Sequence, residues 1–151
     1  MLKPILLVED NPKDLELSLL ALEKSNLANE VVTVRDGKEA LDYLFRRGAY
    51  ADRQQGNPAV VLLDLKLPKV DGIQVLEKIK AEPSLQAVPV VMLTTSREEK
   101  DLLRSYQLGV NAYVVKPVAF KDFIDAIQEL GVFWAVVNEP PPGSLKPGRK
   151  G

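Results

Sequence analysis

Short apolar runs alternate along the chain with segments of helical periodicity. Few folds accommodate that pattern, because strands that alternate with helices build a parallel sheet covered by helices. The first run, Ile5–Val8, is apolar at every position, as expected for a strand buried on both faces. The predicted strands are Ile5–Val8, Glu30–Val34, Ala59–Leu63, Val88–Leu93 and Ala112–Val115. We therefore expect an α/β fold, a doubly wound five-stranded parallel sheet in the order 2-1-3-4-5 with five flanking helices.

Apolar residues at helical spacing lie between these runs and predict amphipathic helices. Pro12 suits the first turn of the first helix, and Ser96 with Glu99 predicts a capping box that opens the fourth. The predicted stripes of the first four helices are Leu15, Leu19 and Leu22; Ala40, Leu41, Leu44 and Phe45; Val75, Leu76 and Ile79; and Leu102, Leu103 and Tyr106. Residues 46–58 are polar and contain Gly and Pro, which predicts a long surface loop before the third strand.

A fifth helix is predicted from about Ala119, and its apolar residues exceed one face. Phe120, Phe123, Ile124, Ile127 and Trp134 form a stripe that can pack on the sheet, whereas Leu130, Phe133 and Val137 fall off that stripe. Either the C-terminal tail folds back over the second group or that group forms the seam of a homodimer. Residues 1–137 are predicted to form one domain, and the Pro- and Gly-rich residues 138–151 are predicted to be disordered.

Composition removes several classes of function. The length of 151 residues fits one domain, and the sequence contains neither Cys nor His. Thiol chemistry, imidazole metal sites, serine-histidine hydrolysis and a phosphohistidine on this chain are therefore excluded. A formal net charge of -1 disfavours nucleic-acid binding, and no apolar run is long enough to span a bilayer. We expect a cytoplasmic protein without nucleic-acid or membrane partners.

Polar residues follow the predicted strands at the edge where a doubly wound sheet binds its ligands. Glu9 and Asp10 follow the first strand, and Asp64, Thr94 and Lys116 follow the third, fourth and fifth. The predicted strand order places strands one and three side by side, which brings three carboxylates together. Clustered carboxylates need a cation to stay ionised, and without Cys or His the oxygen ligands favour Mg²⁺ or Mn²⁺. A carboxylate beside such a cation can attack phosphorus, and Asp64 at the end of the central strand is the predicted nucleophile.

The other strand-end residues suit the same reaction, although each also has an ordinary structural interpretation. Lys116 would neutralise a phosphoryl group from the side opposite the metal, and Thr94 would donate a hydrogen bond to it. Taken singly, Glu9 and Asp10 could cap the first helix, and Asp64 could belong to a turn. Thr94 and Lys116 could be a strand-end hydroxyl and a solvated lysine. Four strand ends that all carry the residue types of one reaction favour the chemical interpretation.

These residues and their neighbours resemble the receiver domain of two-component response regulators, from Pro4 to about Glu129. The motifs that carry the resemblance are Val8-Glu9-Asp10-Asn11, Leu63-Asp64-Leu65-Lys66-Leu67-Pro68-Lys69-Val70-Asp71-Gly72, Leu93-Thr94-Thr95-Ser96 and Val115-Lys116-Pro117. The resemblance implies a flavodoxin-like receiver fold and a phosphoryl group accepted on Asp64 from a histidine kinase. The implied roles are metal binding by Glu9, Asp10, Asp64 and the backbone carbonyl of Lys66, phosphate binding by Lys116, and switching by Thr94 and Tyr113.

The long loop and the C-terminal segment add a second, narrower resemblance, to the single-domain regulators found beside phytochrome-type histidine kinases. It implies a stand-alone homodimeric regulator without a DNA-binding output domain. Its signal would pass through the face formed by helix 4, strand 5 and helix 5. The partner would be a downstream protein target or a phosphotransfer protein.

Three other functions fit the sequence less well. A metal-dependent phosphohydrolase with an aspartyl nucleophile usually carries a second acid two residues further on, where this chain has Lys66. A binding module that is not phosphorylated does not explain the complete set of strand-end residues. A flavin-binding fold fits worse, because Glu9 and Asp10 would repel the flavin phosphate.

Overall fold

The computed structural model of the chain describes residues 3–24, 28–54, 56–95, 98–116 and 121. Its single sheet has five parallel strands in the order β2-β1-β3-β4-β5. The strands are β1 Ile5–Val8, β2 Val31–Val34, β3 Val60–Asp64, β4 Val90–Thr94 and β5 Ala112–Val115. The predicted sheet and strand order are therefore confirmed; the bounds of β1 and β5 are as predicted, and those of β2, β3 and β4 differ by one or two residues.

Four helices and one short 3-10 turn lie between the strands. The helices are α1 Pro12–Lys24, α2 Gly37–Phe45, α3 Gly72–Ala81 and α4 Glu99–Gln107, and the 3-10 turn is Gly48–Tyr50. Among the described residues, no helix combines the length and the apolar character needed to cross a membrane. The predicted fifth helix, apart from Lys121, and the tail of residues 138–151 lie outside the described residues. The proposed domain boundary at residue 137 accordingly stays a prediction.

The central strands are apolar up to their carboxyl ends because both faces of the sheet are covered there, whereas the edge strand β2 contains the exposed Thr33. Leu6 and Val8 of β1 point into the core beneath α2 and α3, whereas Ile5 and Leu7 point to the opposite face, against which Leu22 of α1 packs. These strand residues have at most 1% of their surface exposed. The alternation of side chains along a strand thus fills two separate cores and explains why no polar position interrupts the run.

The predicted buried stripe of α1 is wrong in part. Ser18, Ala21 and Leu22 are its buried residues, and Leu19 is 36% exposed. The small side chains of Ser18 and Ala21 lie on the buried side of the helix together with Leu22, whereas Leu19 lies outside that side. The spacing of the leucines predicted a buried face with Leu15, Leu19 and Leu22, whereas the buried residues are Ser18, Ala21 and Leu22.

The fourth helix also differs from its prediction. It begins at Glu99 with Glu98 as its N-cap, and the Glu98 side chain makes no capping hydrogen bond. Ser96, from which a capping box was predicted, lies outside the described residues. Its only buried residue is Ser105, and its apolar residues lie on the solvent side. The exposed apolar residues of this helix are Leu102, Leu103 and Tyr106.

The loop after α2 is fixed to that helix by aromatic contacts. The Tyr50 ring meets the Tyr43 ring edge-on at 5.2 Å between centroids, and the Tyr50 hydroxyl donates to Glu39 Oε2 at 2.7 Å. On the other side the Arg53 guanidinium lies 4.0 Å from the Tyr43 ring centroid. This long loop is a surface connection, as predicted, with a defined packing on the core side.

Candidate functional site

The parallel register brings the predicted chemistry to one edge of the sheet. Val8 of β1 pairs with Leu63 of β3, so the residues that follow them, Glu9 and Asp64, lie side by side. Asp64 in turn pairs with Leu93, one residue before Thr94 at the end of β4. The central position of β3 therefore places Asp64 between the acids after β1 and the hydroxyl at the end of β4.

Three carboxylates at this edge are close enough to share one cation. Glu9, Asp10 and Asp64 each offer an oxygen, and these oxygens lie within 4.8 Å of one another. Glu9 and Asp64 are buried and Asp10 is half-buried, so the cluster faces solvent on one side. Hard oxygen ligands in this number suit Mg²⁺ or Mn²⁺, which retain water at their remaining positions. The three predicted acidic ligands are thus brought together by the fold.

Lys116 reaches the same cluster from the end of β5. Its ammonium donates to Asp64 Oδ2 at 2.8 Å, to Asp14 Oδ2 at 3.1 Å, and to Glu9 Oε1 in a short contact. Its side chain is 5% exposed, so these hydrogen bonds are formed largely away from water. An ammonium has three donors, and each has its own carboxylate here. Lys116 is therefore a component of the site and not a solvated surface lysine.

Burial and charge act on the two most enclosed groups of the site in opposite ways. Burial raises the pKa of Glu9 to about 7, and the neighbouring Asp64 adds to the effect while Lys116 opposes it. Burial alone would lower the pKa of Lys116, but hydrogen bonds to Asp64 and Glu9 raise it above its usual 10.5. The ammonium therefore stays charged, and Glu9 is the carboxyl group whose ionisation burial and crowding oppose.

The start of α1 is capped by a residue outside the acidic cluster. Asn11 Oδ1 accepts hydrogen bonds from the backbone N–H groups of Lys13 and Asp14, at 2.9 and 3.0 Å. The N–H of Asn11 donates to Glu9 Oε2 at 3.2 Å. Because Asn11 supplies the cap, Glu9 and Asp10 are not needed as helix caps.

The loop after β3 fixes the second oxygen of Asp64. The backbone N–H of Lys66 donates to Asp64 Oδ1 at 3.2 Å, while Oδ2 accepts from Lys116. The hydrogen bond between Lys66 and Asp64 is made by the Lys66 N–H. The predicted metal contact of the Lys66 carbonyl stays a prediction. Gly72 packs so closely against the start of this loop that a Cβ there would lie 2.2 Å from the Asp64 carbonyl oxygen.

Thr94 and Tyr113 occupy the positions that a switch would need. Thr94 is fully buried at the carboxyl end of β4, and its carbonyl accepts from the N–H of Lys116 at 2.8 Å. Tyr113 is half-buried on β5, pairs with Met92, and packs against the core that α3 covers. Both residues are near the site, and their roles as switch residues stay a prediction.

One side of the cluster opens into a cleft of about 510 Å³. Its lining residues are Asp10, Leu65, Lys66, Leu67, Pro68, Asp71, Ile73 and Asp101. The cleft runs from the metal-binding acids along the loop after β3 toward α4. The cleft therefore gives small molecules in solution access to the half-buried Asp10.

Sequence reasoning missed Asp14. It lies in the first turn of α1, four residues after Asp10, and its contact with Lys116 spans 102 positions of the chain. The available signal was the spacing, because the first turn of a helix that follows β1 must face the same edge as Glu9 and Asp10. The predicted dimer residues Leu130, Phe133 and Val137 lie outside the described residues.

A family model described as the response regulator receiver domain matches residues 5–128. The chain belongs to the response regulator receiver family. The match spans all five strands and every residue of the site, so the receiver is the unit that the structure describes. The expected family is thereby confirmed.

Two curated relatives align with most of this receiver. The "Probable methanogenesis regulatory protein FilR2" of Methanothrix harundinacea is 43% identical over 91% of this chain and 86% of its own length. The "Response regulator Rcp1" of Synechocystis sp. is 42% identical over 87% of this chain and 88% of its own length.

Solved structures of phytochrome-related regulators are similar in both sequence and fold. The bacteriophytochrome response regulator RtBRR is 65% identical with a TM-score of 0.85, covering 95% of this chain and 87% of its own. The bacteriophytochrome response regulator AtBRR is 68% identical with a TM-score of 0.84, covering 92% and 99%. The Mn²⁺-bound form of Rcp1 is 41% identical with a TM-score of 0.74, covering 92% and 99%. The phosphorylated cyanobacterial phytochrome response regulator RcpA is also 41% identical, with a TM-score of 0.75, and covers 97% and 99%.

Proposed function

We propose that this receiver is a signalling phosphoacceptor, which takes a phosphoryl group on Asp64 from a phosphohistidine of a partner kinase. The observation that carries the proposal is the position of the Asp64 carboxylate, which accepts a hydrogen bond from Lys116 and shares one cluster with the carboxylates of Glu9 and Asp10. The sequence contains no His, so the donor imidazole would belong to another protein. Phosphoryl transfer and later hydrolysis would be the only reactions of the site.

The residues of the site divide the work of transfer. An oxygen of Asp64 attacks phosphorus, the bond between phosphorus and the donor nitrogen breaks, and its electron pair stays with the donor imidazole. Lys116 directs its ammonium at the phosphoryl oxygens as charge develops on them. Glu9, Asp10 and Asp64 would hold Mg²⁺ or Mn²⁺, and a relative, Rcp1, has been solved with Mn²⁺ bound. When bound, a divalent cation would neutralise part of the negative charge on the phosphoryl group.

Phosphorylation would act on the neighbouring strand ends. The buried Thr94 hydroxyl at the end of β4 would turn toward the phosphoryl oxygens, and the half-buried Tyr113 on β5 would follow it. The element beside them is α4, which buries only Ser105, fewer residues than any other described α-helix. We propose that the face formed by α4, β5 and the predicted fifth helix changes between the two states.

The names of the similar structures suggest the kind of partner. RtBRR and AtBRR are bacteriophytochrome response regulators, so we propose a phytochrome-type histidine kinase as donor, in the cytoplasm. We also propose a homodimer through Leu130, Phe133 and Val137. Sedimentation of Phe133→Asp checks this: we expect a lighter species than wild type, and an unchanged sedimentation coefficient would contradict the seam.

The phosphoacceptor is tested by intact mass after incubation with Mg²⁺ and acetyl phosphate. We expect one phosphoryl adduct on wild type and on Asp52→Asn, an exposed aspartate outside the site. Asp64→Asn should give no adduct and should keep the fold. An adduct on Asp64→Asn, or none on wild type with any divalent cation, would overturn the proposal.

A further inference from the structure

The Lys116 ammonium is held by carboxylates from three different elements. Glu9 follows β1, Asp64 ends β3, and Asp14 lies in the first turn of α1. Each accepts one hydrogen bond from the ammonium, so the lysine has no donor left for a further acceptor. Any group that enters the site and contacts Lys116 must displace one of these three acceptors.

Asp14 differs from the other two acceptors in its relation to the metal site. Glu9 and Asp64 belong to the set of three carboxylates that can share a cation, and Asp14 does not. Its side chain is 29% exposed, whereas those of Glu9 and Asp64 are 1% and 9% exposed. Asp14 can therefore keep its contact with Lys116 while the other two carboxylates turn to a cation.

The Lys116 ammonium and a divalent cation would compete for the carboxylates of Glu9 and Asp64, and Asp14 lies outside that competition. The oxygens of Glu9 and Asp64 that Lys116 occupies are on the residues that a divalent cation would also use. An ammonium left without an acceptor in a buried position is costly, so it would resist giving up these carboxylates. The third acceptor removes that resistance, because the ammonium keeps a charged partner at every stage.

We propose that Asp14 is a positioning residue that holds the Lys116 ammonium at the site when Glu9 and Asp64 are taken by a divalent cation. The inference rests on the proposed function for the use of the site, but its geometry is independent of phosphorylation. Asp14 thereby lowers the cost of metal binding and keeps the lysine oriented for the phosphoryl oxygens. It touches no reacting atom and acts only through Lys116.

The test measures Mg²⁺ affinity by titration calorimetry on the full chain. We expect Asp14→Asn and Asp14→Ala to bind Mg²⁺ about three- to tenfold more weakly than wild type, the size of one ordinary hydrogen bond, because Asp14 is partly exposed to water. The matched control is Glu16→Gln, which removes the same charge from an exposed position of the same helix. This control gives the general electrostatic effect, and the Asp14 variants should exceed it.

A double-mutant cycle shows whether the effect passes through the lysine. In a Lys116→Met background, Asp14→Asn should weaken Mg²⁺ binding no more than Glu16→Gln does. Lysine ¹⁵N spectra of the Mg²⁺-loaded protein give a direct reading, since the Lys116 ammonium signal should be protected in wild type and in Glu16→Gln. It should be lost to exchange in Asp14→Ala.

Each outcome separates this inference from the proposed function. A phosphoryl adduct on wild type together with equal Mg²⁺ affinities of Asp14→Asn and Glu16→Gln overturns the role of Asp14 alone. An Asp14 effect that persists in the Lys116→Met background also overturns it. No adduct on wild type, with the Asp14 effect present and dependent on Lys116, overturns the phosphoacceptor and supports the inference. Absence of Mg²⁺ binding by wild type overturns the inference.

Discussion

The backbone at Asp64 is held in place by the close approach of a glycine. A Cβ on Gly72 would lie 2.2 Å from the carbonyl oxygen of Asp64 and 2.8 Å from the Cα of Leu65. Both obstacles are backbone atoms, which cannot move aside as a side chain would. The N–H of Gly72 also donates to the carbonyl of Leu65 at 2.8 Å, so the approach is part of the turn itself.

We therefore expect Gly72→Ala to lower the free energy of unfolding by about 1–3 kcal/mol, the range of overpacked sites. It should also slow the phosphorylation of Asp64, because the shift acts on that residue's own backbone. Urea unfolding and the acetyl phosphate assay check these effects. The matched control is Gly56→Ala, where a Cβ meets nothing within 4 Å and both quantities should stay at their wild-type values. Equal behaviour of the two variants would contradict the close approach.

A second residue carries an unmet polar group. Ser105 of α4 is completely buried, and its hydroxyl has no hydrogen-bond partner among the described residues. A buried unpaired hydroxyl destabilises the folded state, so Ser105→Ala should raise the free energy of unfolding by about 1 kcal/mol. Urea unfolding checks this, and Ser84→Ala at an exposed position should change it by less than about 0.5 kcal/mol. A loss of stability in Ser105→Ala would show that the hydroxyl has a partner in solution.

At the scale of single elements, helix α2 depends on Asp36. Asp36 Oδ1 accepts from the N–H of Glu39 at 2.7 Å, and Oδ2 lies 3.3 Å from the ammonium of Lys69 in the loop after β3. The helix cap thus also ties α2 to the loop that carries Lys66. The hydrogen bond from Glu39 and the charge of Lys69 keep the pKa of Asp36 below its ordinary 3.8.

Asp36→Ala should lower the free energy of unfolding by about 1 kcal/mol at neutral pH, the usual effect of a lost N-cap. Asp36→Asn keeps an acceptor and should lose less. Because the folded-state pKa is depressed, the contribution of the charge is fully present above pH 3.8 and disappears as the pH falls through the folded-state pKa. Urea unfolding at decreasing pH should therefore show wild type and Asp36→Asn converging. A gap that widens toward acid would have the wrong sign for this assignment.

The elements themselves were predictable to different degrees. Four strands were predictable because they are nearly continuous apolar runs, as expected for a sheet covered on both faces, and β2, which contains the exposed Thr33, was predictable because it is β-branched throughout. The orientation of α1 was not found, since Ser18 and Ala21 pack inward and Leu19 does not. Helix packing depends on how closely two backbones approach, and the periodicity of large apolar residues does not report that distance. The exposed apolar side of α4 has the same origin, because Ser105 is the residue that faces the sheet.

At the scale of the whole molecule, the site was predictable because parallel strands bring their carboxyl ends to one edge. Glu9, Asp10, Asp64 and Lys116 are far apart in sequence, and the sheet order alone makes them neighbours. The strand order was predicted from the doubly wound fold and from the resemblance to receiver domains, because apolar runs alone do not indicate which strands pair. Asp14 was not predicted as a residue of the site, because its contact joins α1 to the end of β5 and follows from three-dimensional packing.

The same arrangement makes the stability of the whole fold depend on divalent cations. Four carboxylates, Glu9, Asp10, Asp14 and Asp64, lie at this edge of the sheet with the one ammonium of Lys116, which contacts three of them, so the edge carries excess negative charge. A cation that binds only the folded chain stabilises it by RT ln(1 + [Mg²⁺]/Kd), about 2.7 kcal/mol at one hundred times Kd. For a chain of this size we expect Mg²⁺ to raise the melting temperature by about 5–10 °C.

Thermal unfolding with and without Mg²⁺ measures this increment, with NaCl at equal ionic strength as the reference for screening. Asp10→Asn removes one ligand from the cluster and should lose most of the increment, whereas Asp52→Asn at an exposed position should keep it. Because the acids follow β1 and end β3, a cation there ties together the two central strands and must be released before the sheet unfolds. Equal Mg²⁺ shifts in Asp10→Asn and wild type, or an equal effect of NaCl, would show that the cation does not bind at this edge.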